Sequence, residues 1–260
     1  ADIAFCNCIQ NADGHRFSPE IESGVYDRQA IEEKILSKSL AYITDNGERR
    51  AIRWSNCLRL YRGELLKSGI SYNPEVRRCE DLVLNYEATL KANVLVYLGE
   101  QYLYHNRVVF NSKSRRYTPD AWKAFKSLIL HLYGITESLE SETMLDQMHL
   151  RAFFSIVDCL ENELKFYKQD KKRALQQISL IMNDEINERY YGNIPIEKMV
   201  KRYRVYYKLI HQKRPKAIIW YEADRKFTEK VDKKLIRPLL HWLTEGRITG
   251  RLYKKIRKMF

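Results

Sequence analysis

The chain has 260 residues, 45% hydrophobic and 30% charged, enough apolar residues to bury a sizeable core and too many for a disordered or fibrous protein. No apolar run approaches the ~18 residues of a membrane-spanning helix. Lys and Arg outnumber Asp and Glu 46 to 33, and a formal charge of +13 attracts polyanions, either nucleic acid or an anionic membrane face.

The opening residues, ADIAFCNCIQ, lack the basic and apolar blocks of a signal peptide. Ile3, Phe5 and Asn7 alternate with Ala4, Cys6 and Cys8, which predicts a strand buried on both faces, as in an α/β sheet. A chain that opens inside a sheet reads as a fragment of a larger domain. A polar turn follows (NADGHRF), then a helix from Asp27, a loop at Asn46-Gly47, an apolar segment from Trp54 to Leu66, a helix opening at Glu80-Asp81, and strands over 94–98 and 102–105. The five cysteines are odd in number and show no C-x-x-C spacing, which favours reduced thiols in a cytosolic compartment over a disulfide frame or a zinc site.

From Thr118 onward the pattern is helical. Thr118-Pro119 predicts a helix opening, with a hydroxyl cap and proline at the first position, continued over 121–133 and ended by Gly134. Leu145, Met148, Ala152, Ile156, Leu160 and Leu164 recur as a core-facing stripe over 141–167. Further helices are predicted over 171–190, over 196–212 and after Pro215. The fold class is therefore α/β, part of a mixed Rossmann-like sheet over 1–117 followed by an all-α region over 118–260, joined by the short polar connector NSKSRRYTP.

Two basic blocks stand out in the second region. Residues 198–216 carry Lys198, Lys201, Arg202, Arg204, Lys208, Lys213, Arg214 and Lys216 without an acid, interleaved with Tyr203, Tyr206 and Tyr207, a pattern that suits phosphate contacts and base stacking. The closing stretch RITGRLYKKIRKMF places Ile248, Leu252, Ile256, Met259 and Phe260 on one side of a helical wheel and cations, Arg251 and Lys255 among them, on another. That is the pattern of an interfacial helix on anionic lipid, with Ile248, Arg251, Leu252, Lys255 and Ile256 as its contacts. A helix packed on its own domain with a solvated basic side has the same pattern.

Glu80-Asp81 is the candidate for chemistry. An Asp in the first helical turn lies near free backbone amides and the positive end of the dipole, which hold a carboxylate in place, and Arg77 and Arg78 favour its charged form. Such a group can serve as a general base toward a hydroxyl. An ordinary acidic helix start has the same local sequence.

Four landmarks set that pair in a wider frame: ADIAFCN, SGVYDRQAIEEKIL, CLRLYRGELLKSGISYNPEVRRCED and NVLVYLGEQYLYHNR. In this order, from Ala1 to about Arg116, they resemble the C-terminal, acceptor-side half of the catalytic domain in family 2 glycosyltransferases of the GT-A fold, particularly bacterial surface-polysaccharide enzymes. The resemblance implies Asp81 as catalytic base and Glu80 as an acceptor-binding acid. It sets Trp54 and Tyr61 at the border of the acceptor site, and Arg107 and His105 close to the donor diphosphate. Trp54 could equally be a core aromatic, and His105 an ordinary strand residue. The implied reaction is inverting transfer from a nucleotide-sugar to a hydroxyl of a glycan or lipid-linked acceptor, in a cytoplasmic protein peripheral to the inner face of the plasma membrane. The implied cofactor of the complete enzyme is a divalent cation, Mg or Mn. No D-x-D motif and no glycine-rich phosphate loop occurs in the sequence, so the expected ligand set for a metal in this chain is none. Glu222-Ala223-Asp224 is the nearest imitation and reads as a solvated face. A basic nucleic-acid-binding helical protein and a non-catalytic interaction module are the alternatives.

Overall fold

The computed structural model describes residues 1–10, 14, 16–17, 19–52, 54–107 and 116–231. In chain order the strands are β1 (Ile3–Cys6), β2 (Cys8–Gln10), β3 (Arg16–Phe17), β4 (Gly24–Tyr26), β5 (Tyr42–Ile43), β6 (Arg49–Arg50), β7 (Arg59–Tyr61), β8 (Leu95–Leu98) and β9 (Tyr104–Asn106). The helices are α1 (Arg28–Ala30), α2 (Gly63–Lys67), α3 (Glu80–Lys91), α4 (Ala121–Glu137), α5 (Glu142–Phe166), α6 (Lys171–Met182), α7 (Lys201–His211) and α8 (Pro215–Val231). The coarse class is α/β, with parallel and antiparallel strand pairs in one mixed sheet. Ala1–Lys213 form one compact unit, and Arg214–Phe260 a second that contains α8.

The main sheet has the order β4-β8-β1-β7, with β1 parallel to β8 and the outer pairs antiparallel. Its register decides which side chains share a face. Ile3, Phe5, Leu95, Tyr97, Tyr26 and Arg59 lie on one face and are all buried, with Phe5 stacked on Tyr97 at 4.4 Å between centroids. On the opposite face Val25, Val96, Ala4 and Leu60 run across the sheet as a paired row. Val25 and Leu60 there are 72% and 77% exposed.

The opening strand breaks where its alternation falters. Asn7, 2% exposed, separates β1 from β2, and β2 pairs with β3 and β9 in a second sheet. The Asn7 amide N–H donates to Gln101 O at 2.9 Å, and its side-chain carbonyl accepts from the Tyr97 hydroxyl at 2.8 Å. A buried amide bonded to the β8–β9 connection is satisfied only there, so the chain bends at that residue.

Asp27 caps α1, as expected, by accepting from Ala30 N. The helix then runs on as a π turn over Ile31–Ile35 and a 3-10 turn over Leu36–Lys38. Arg28 reaches across to the far end of α3 and donates to Leu90 O at 2.7 Å and Ala92 O at 3.0 Å, satisfying carbonyls that a helix C-terminus leaves without intrahelical partners. Gly47, at φ +81°, turns the β5–β6 hairpin, and a Cβ there would meet Lys198 O at 2.7 Å. Glycine is required at that turn by conformation and by space.

The helical part departs from expectation at its punctuation. Thr118 does not cap α4. Its backbone N–H and C=O are held by the Asn162 side chain at 3.1 and 3.0 Å, its hydroxyl accepts from Arg78 at 3.0 Å, and the helix starts at Ala121 after a left-handed Asp120. Gly134 does not end α4 either. Leu132, Tyr133 and Thr136 continue the buried face to Glu137, and that burial outweighs the ~1 kcal/mol by which glycine weakens a helix interior. The helix predicted over 171–190 stops at Met182, where Asp184 caps a 3-10 turn over Glu185–Glu188. The predicted 196–212 helix is interrupted at Val200, whose N–H donates to Gly47 O at 3.1 Å.

The stripe over 141–167 forms α5, capped by the Ser141 side chain, and α4 and α6 pack on it. Gln147 of α5 ties the helices to the sheet part by accepting from Leu40 N at 3.1 Å and donating to Leu36 O at 2.9 Å. No helix among the described residues is long and apolar enough to cross a membrane. The closing stretch with Ile248, Arg251, Leu252, Lys255 and Ile256 lies outside the described residues.

Candidate active site

The site forms where the chain enters α3. Cys79, immediately before the helix, sits in the left-handed region at φ 57° and ψ 33°, a conformation a non-glycine residue holds only when its surroundings enforce it, at roughly 1–3 kcal/mol. The turn delivers Glu80 and Asp81 into the first helical turn, both half-buried. The Asp81 carboxylate accepts from Asn56 N–H at 3.3 Å on one oxygen and from the Tyr72 hydroxyl at 3.5 Å on the other. Both bonds are long, and they come from residues 25 and 9 positions earlier in the chain.

Behind the carboxylate lies a polar network. The Asn85 amide donates to Asn56 Oδ1 at 2.6 Å and to Asp81 O, and its carbonyl accepts from the Tyr61 hydroxyl, which also lies 3.1 Å from Asn56 Oδ1. Asn56 in turn donates to the Tyr72 hydroxyl. Asn85 is fully buried, whereas Tyr72 is 52% exposed, so the network runs from the core to an open end at Tyr72 and Asp81.

Arg59 of β7 supplies the local positive charge. It is buried, with its guanidinium 4.5 Å from the Trp54 ring centroid and 4.9 Å from that of Phe5. Burial pulls its pKa down to about 10, against the opposing pull of Tyr61 and Asp81, so it remains a cation at neutral pH. Tyr61 is pushed up to about 12, by burial first and then by Asp81 and Tyr72 against the effect of Arg59. Tyr72 is raised as well, chiefly by burial and then by Asp81. Both phenols therefore stay protonated and act as donors.

The expected site residues divide into two groups. Asp81, Tyr61 and Trp54 come together, Tyr61 through the asparagine network and Trp54 as the buried ring beneath Arg59, its indole N–H donated to Ser39 O. Glu80 adjoins Asp81 and contributes to the electrostatic field at Tyr72. His105 and Arg107 lie on and just beyond β9, in the second sheet, both exposed. Arg78, expected to favour the charged form of Asp81, instead reaches Thr118 and lies 5.1 Å from the Phe125 ring centroid. Asn56, Arg59, Tyr72 and Asn85 escaped the sequence reading. Only Asn85 carried a local signal, its i,i+4 spacing from Asp81, which puts both on one helix face.

Other groups resolve more simply. Among the described residues no cluster of His, Cys, Asp or Glu side chains is arranged to hold a metal ion. Glu222 does not lie on a solvated face. It is 3% exposed and pairs bidentately with Arg225 at 2.7 and 3.0 Å. Tyr203 and Tyr206 of the basic block point inward and are buried, so neither is free to stack on a base. Cys6, Cys8 and Cys159 are buried free thiols. No family model and no curated protein matches the chain.

Proposed function

We propose that the chain forms the acceptor side of an inverting glycosyltransferase, with Asp81 as the general base. The observation that carries this reading is the placement of the Asp81 carboxylate. It sits half-buried at the mouth of a hydrogen-bonded network, between the Asn56 N–H and the Tyr72 hydroxyl, with a buried cation in its electrostatic reach. The acceptor hydroxyl loses its proton to Asp81 as its oxygen bonds to the anomeric carbon. The bond from that carbon to the nucleoside diphosphate breaks on the opposite side, which inverts the configuration. Asn56 and Tyr72 fix the carboxylate before the acceptor arrives, so that alignment precedes chemistry. Glu80 orients the acceptor, and Tyr61 and Trp54 back the wall on which it rests. His105 and Arg107 face the donor diphosphate. In this reading a Mg or Mn ion held by a nucleotide-binding half would offset charge on the departing diphosphate.

In this reading the protein works at the cytoplasmic face of the plasma membrane, on a glycan or lipid-linked acceptor. The basic block of α7 exposes Lys201, Arg204 and Lys208, while Tyr203 and Tyr206 face the core, which favours a solvated or lipid-facing cationic surface over a nucleic-acid platform. The test is transfer from a nucleotide-sugar to a hydroxyl acceptor, with the nucleotide-binding half supplied. Asp81→Asn is expected to slow transfer about 10²- to 10⁴-fold with the fold intact. A variant that transfers at the full rate removes the base assignment.

A further inference from the structure

A cleft of ≈ 250 Å³ between the β5–β6 hairpin and α5 is lined by Arg49, Arg50 and Arg151, with Asp158 as the one acid. Asp158 is taken up by Arg49, at 2.7 Å from Nη2. The same guanidinium lies 5.5 Å from the Phe154 ring centroid, so its plane is held by packing as well as by charge. Arg50 and Arg151 have no carboxylate partner among the described residues. Arg151 has a more specific deficiency: its Nε is enclosed and has no hydrogen-bond partner there, and its Nη2 meets only the Cys79 sulfur, at 3.8 Å.

These observations require an explanation together. Arginines that share a small cleft repel one another, and an enclosed N–H without an acceptor costs about 1–3 kcal/mol. An oxyanion in the cleft relieves the repulsion between the guanidinium groups. Guanidinium groups suit phosphate oxygens, because their planar fork donates paired hydrogen bonds where an ammonium acts as a point charge. A carboxylate ligand would also neutralise charge, but it has fewer oxygens to share among three donors. We infer that the cleft bordered by Arg49, Arg50 and Arg151 is a binding site for a phosphate oxyanion, either free or carried on a larger molecule such as a lipid headgroup. Asp81 does not line the cleft, so the inference stands without the transfer reading. The contact with Cys79 places the site against the left-handed residue that precedes Glu80.

The test titrates two probes into the full chain at 0.15 M NaCl: inorganic pyrophosphate, and phosphatidylcholine vesicles with and without phosphatidic acid. Arg151→Met is expected to weaken binding at least tenfold. Lys172→Met, which removes the same charge from an exposed position on α6, is expected to leave it unchanged. Arg50→Gln, exposed and tolerant of change, should weaken binding severalfold and serves if Arg151→Met fails to fold. Saturation by pyrophosphate identifies a soluble phosphate site. Saturation only by phosphatidic acid vesicles, with the same dependence on Arg151 or Arg50, identifies a membrane-borne phosphate. Failure of both probes to saturate overturns the inference, and so does equal weakening by Lys172→Met and the cleft variants.

Discussion

The sheet part (residues 1–107) and the helical part up to Lys213 belong to one compact unit, yet each holds a half-buried carboxylate in a different way. In the helices Asp184 is closed off. Asp184 accepts from Trp122 Nε1 at 3.0 Å, from Lys126 Nζ at 2.9 Å and from Ile186 N at 3.1 Å, and only a tenth of its side chain is exposed. In the sheet part the network of Asn85, Asn56, Tyr61 and Tyr72 leads outward, to a carboxylate whose own bonds are long. A closed network contributes stability, whereas an open one leaves acceptor capacity for a ligand. The same contrast holds for apolar surface: Phe153, Ile156 and Leu160 of α5 are fully buried, while Val25 and Leu60 face solvent.

The largest effect on stability is expected at the centre of the helices. Phe153 is fully buried, with ring centroids 5.3 Å from Phe154 and 6.0 Å from both Tyr190 and Tyr207. Phe153→Ala should cost about 3–5 kcal/mol in urea unfolding, through lost burial and the cavity left behind. A cost below ~1 kcal/mol would mean that this aromatic cluster is not a core, and the contrast between the two parts would fail.

Asp184→Asn should cost less, roughly 1–3 kcal/mol at neutral pH, because a charged acceptor of several hydrogen bonds is weakened without a large cavity. Its pH dependence has a definite sign. Burial pushes the carboxyl up, but Lys126, Ile186 N–H and Trp122 together outweigh it and hold the pKa below 3.8. The unfolded state therefore takes up the proton first. The stabilisation is present in full above the unfolded value and is lost as pH falls through the folded one, an acid limb below about pH 4. Glu163 acts in the opposite sense: burial raises its pKa, so protonation favours the folded state. Unfolding midpoints at pH 7 and pH 3 should converge between wild type and Asp184→Asn. A constant gap between them would remove the assignment.

In the sheet part, Asn85→Ala should cost about 1–2 kcal/mol, since it removes the amide's bonds to the Tyr61 hydroxyl and to Asn56 Oδ1 and leaves those two groups only each other, at 3.1 Å. Its more telling readout is at Asp81. Loss of the network that fixes Asn56 and Tyr72 should lower transfer by more than the stability change explains, whereas Thr136→Val, which removes a buried hydroxyl bonded within α4, should leave transfer unchanged.

What could be read in the sequence follows the same division. The α5 stripe and the start of α1 near Asp27 were legible, because helix periodicity is a local property, whereas the cap expected at Thr118 was not formed. The sheet partners were not: β1 lies beside β8, across some ninety residues, and no spacing rule specifies that pairing. Glu80-Asp81 could be singled out as a helix start. The residues that hold Asp81, Asn56 and Tyr72, lie in irregular segments whose meeting depends on tertiary structure. The break at Asn7 was hinted at by faltering alternation, and the failure of Gly134 to end α4 shows packing overriding a local signal.

The smallest effect is expected on the outer face of the main sheet. Leu60 pairs with Ala4 in register and is 77% exposed, and Val25, at the far end of the same row, is 72% exposed. Neither side chain gains much from burial in the isolated chain, so Leu60→Thr and Val25→Thr should each change unfolding free energy by less than about 0.5 kcal/mol. Threonine has the β-branched shape that a strand favours, so either substitution removes apolar surface without disturbing the backbone. Parallel pairs such as β1 and β8 are ordinarily covered on both faces, which makes a near-zero result informative: it would show that this face is uncovered in solution as well. A loss above ~1.5 kcal/mol for either variant would mean that the row is buried in solution, and the comparison of an open sheet part with a closed helical part would need to be redrawn.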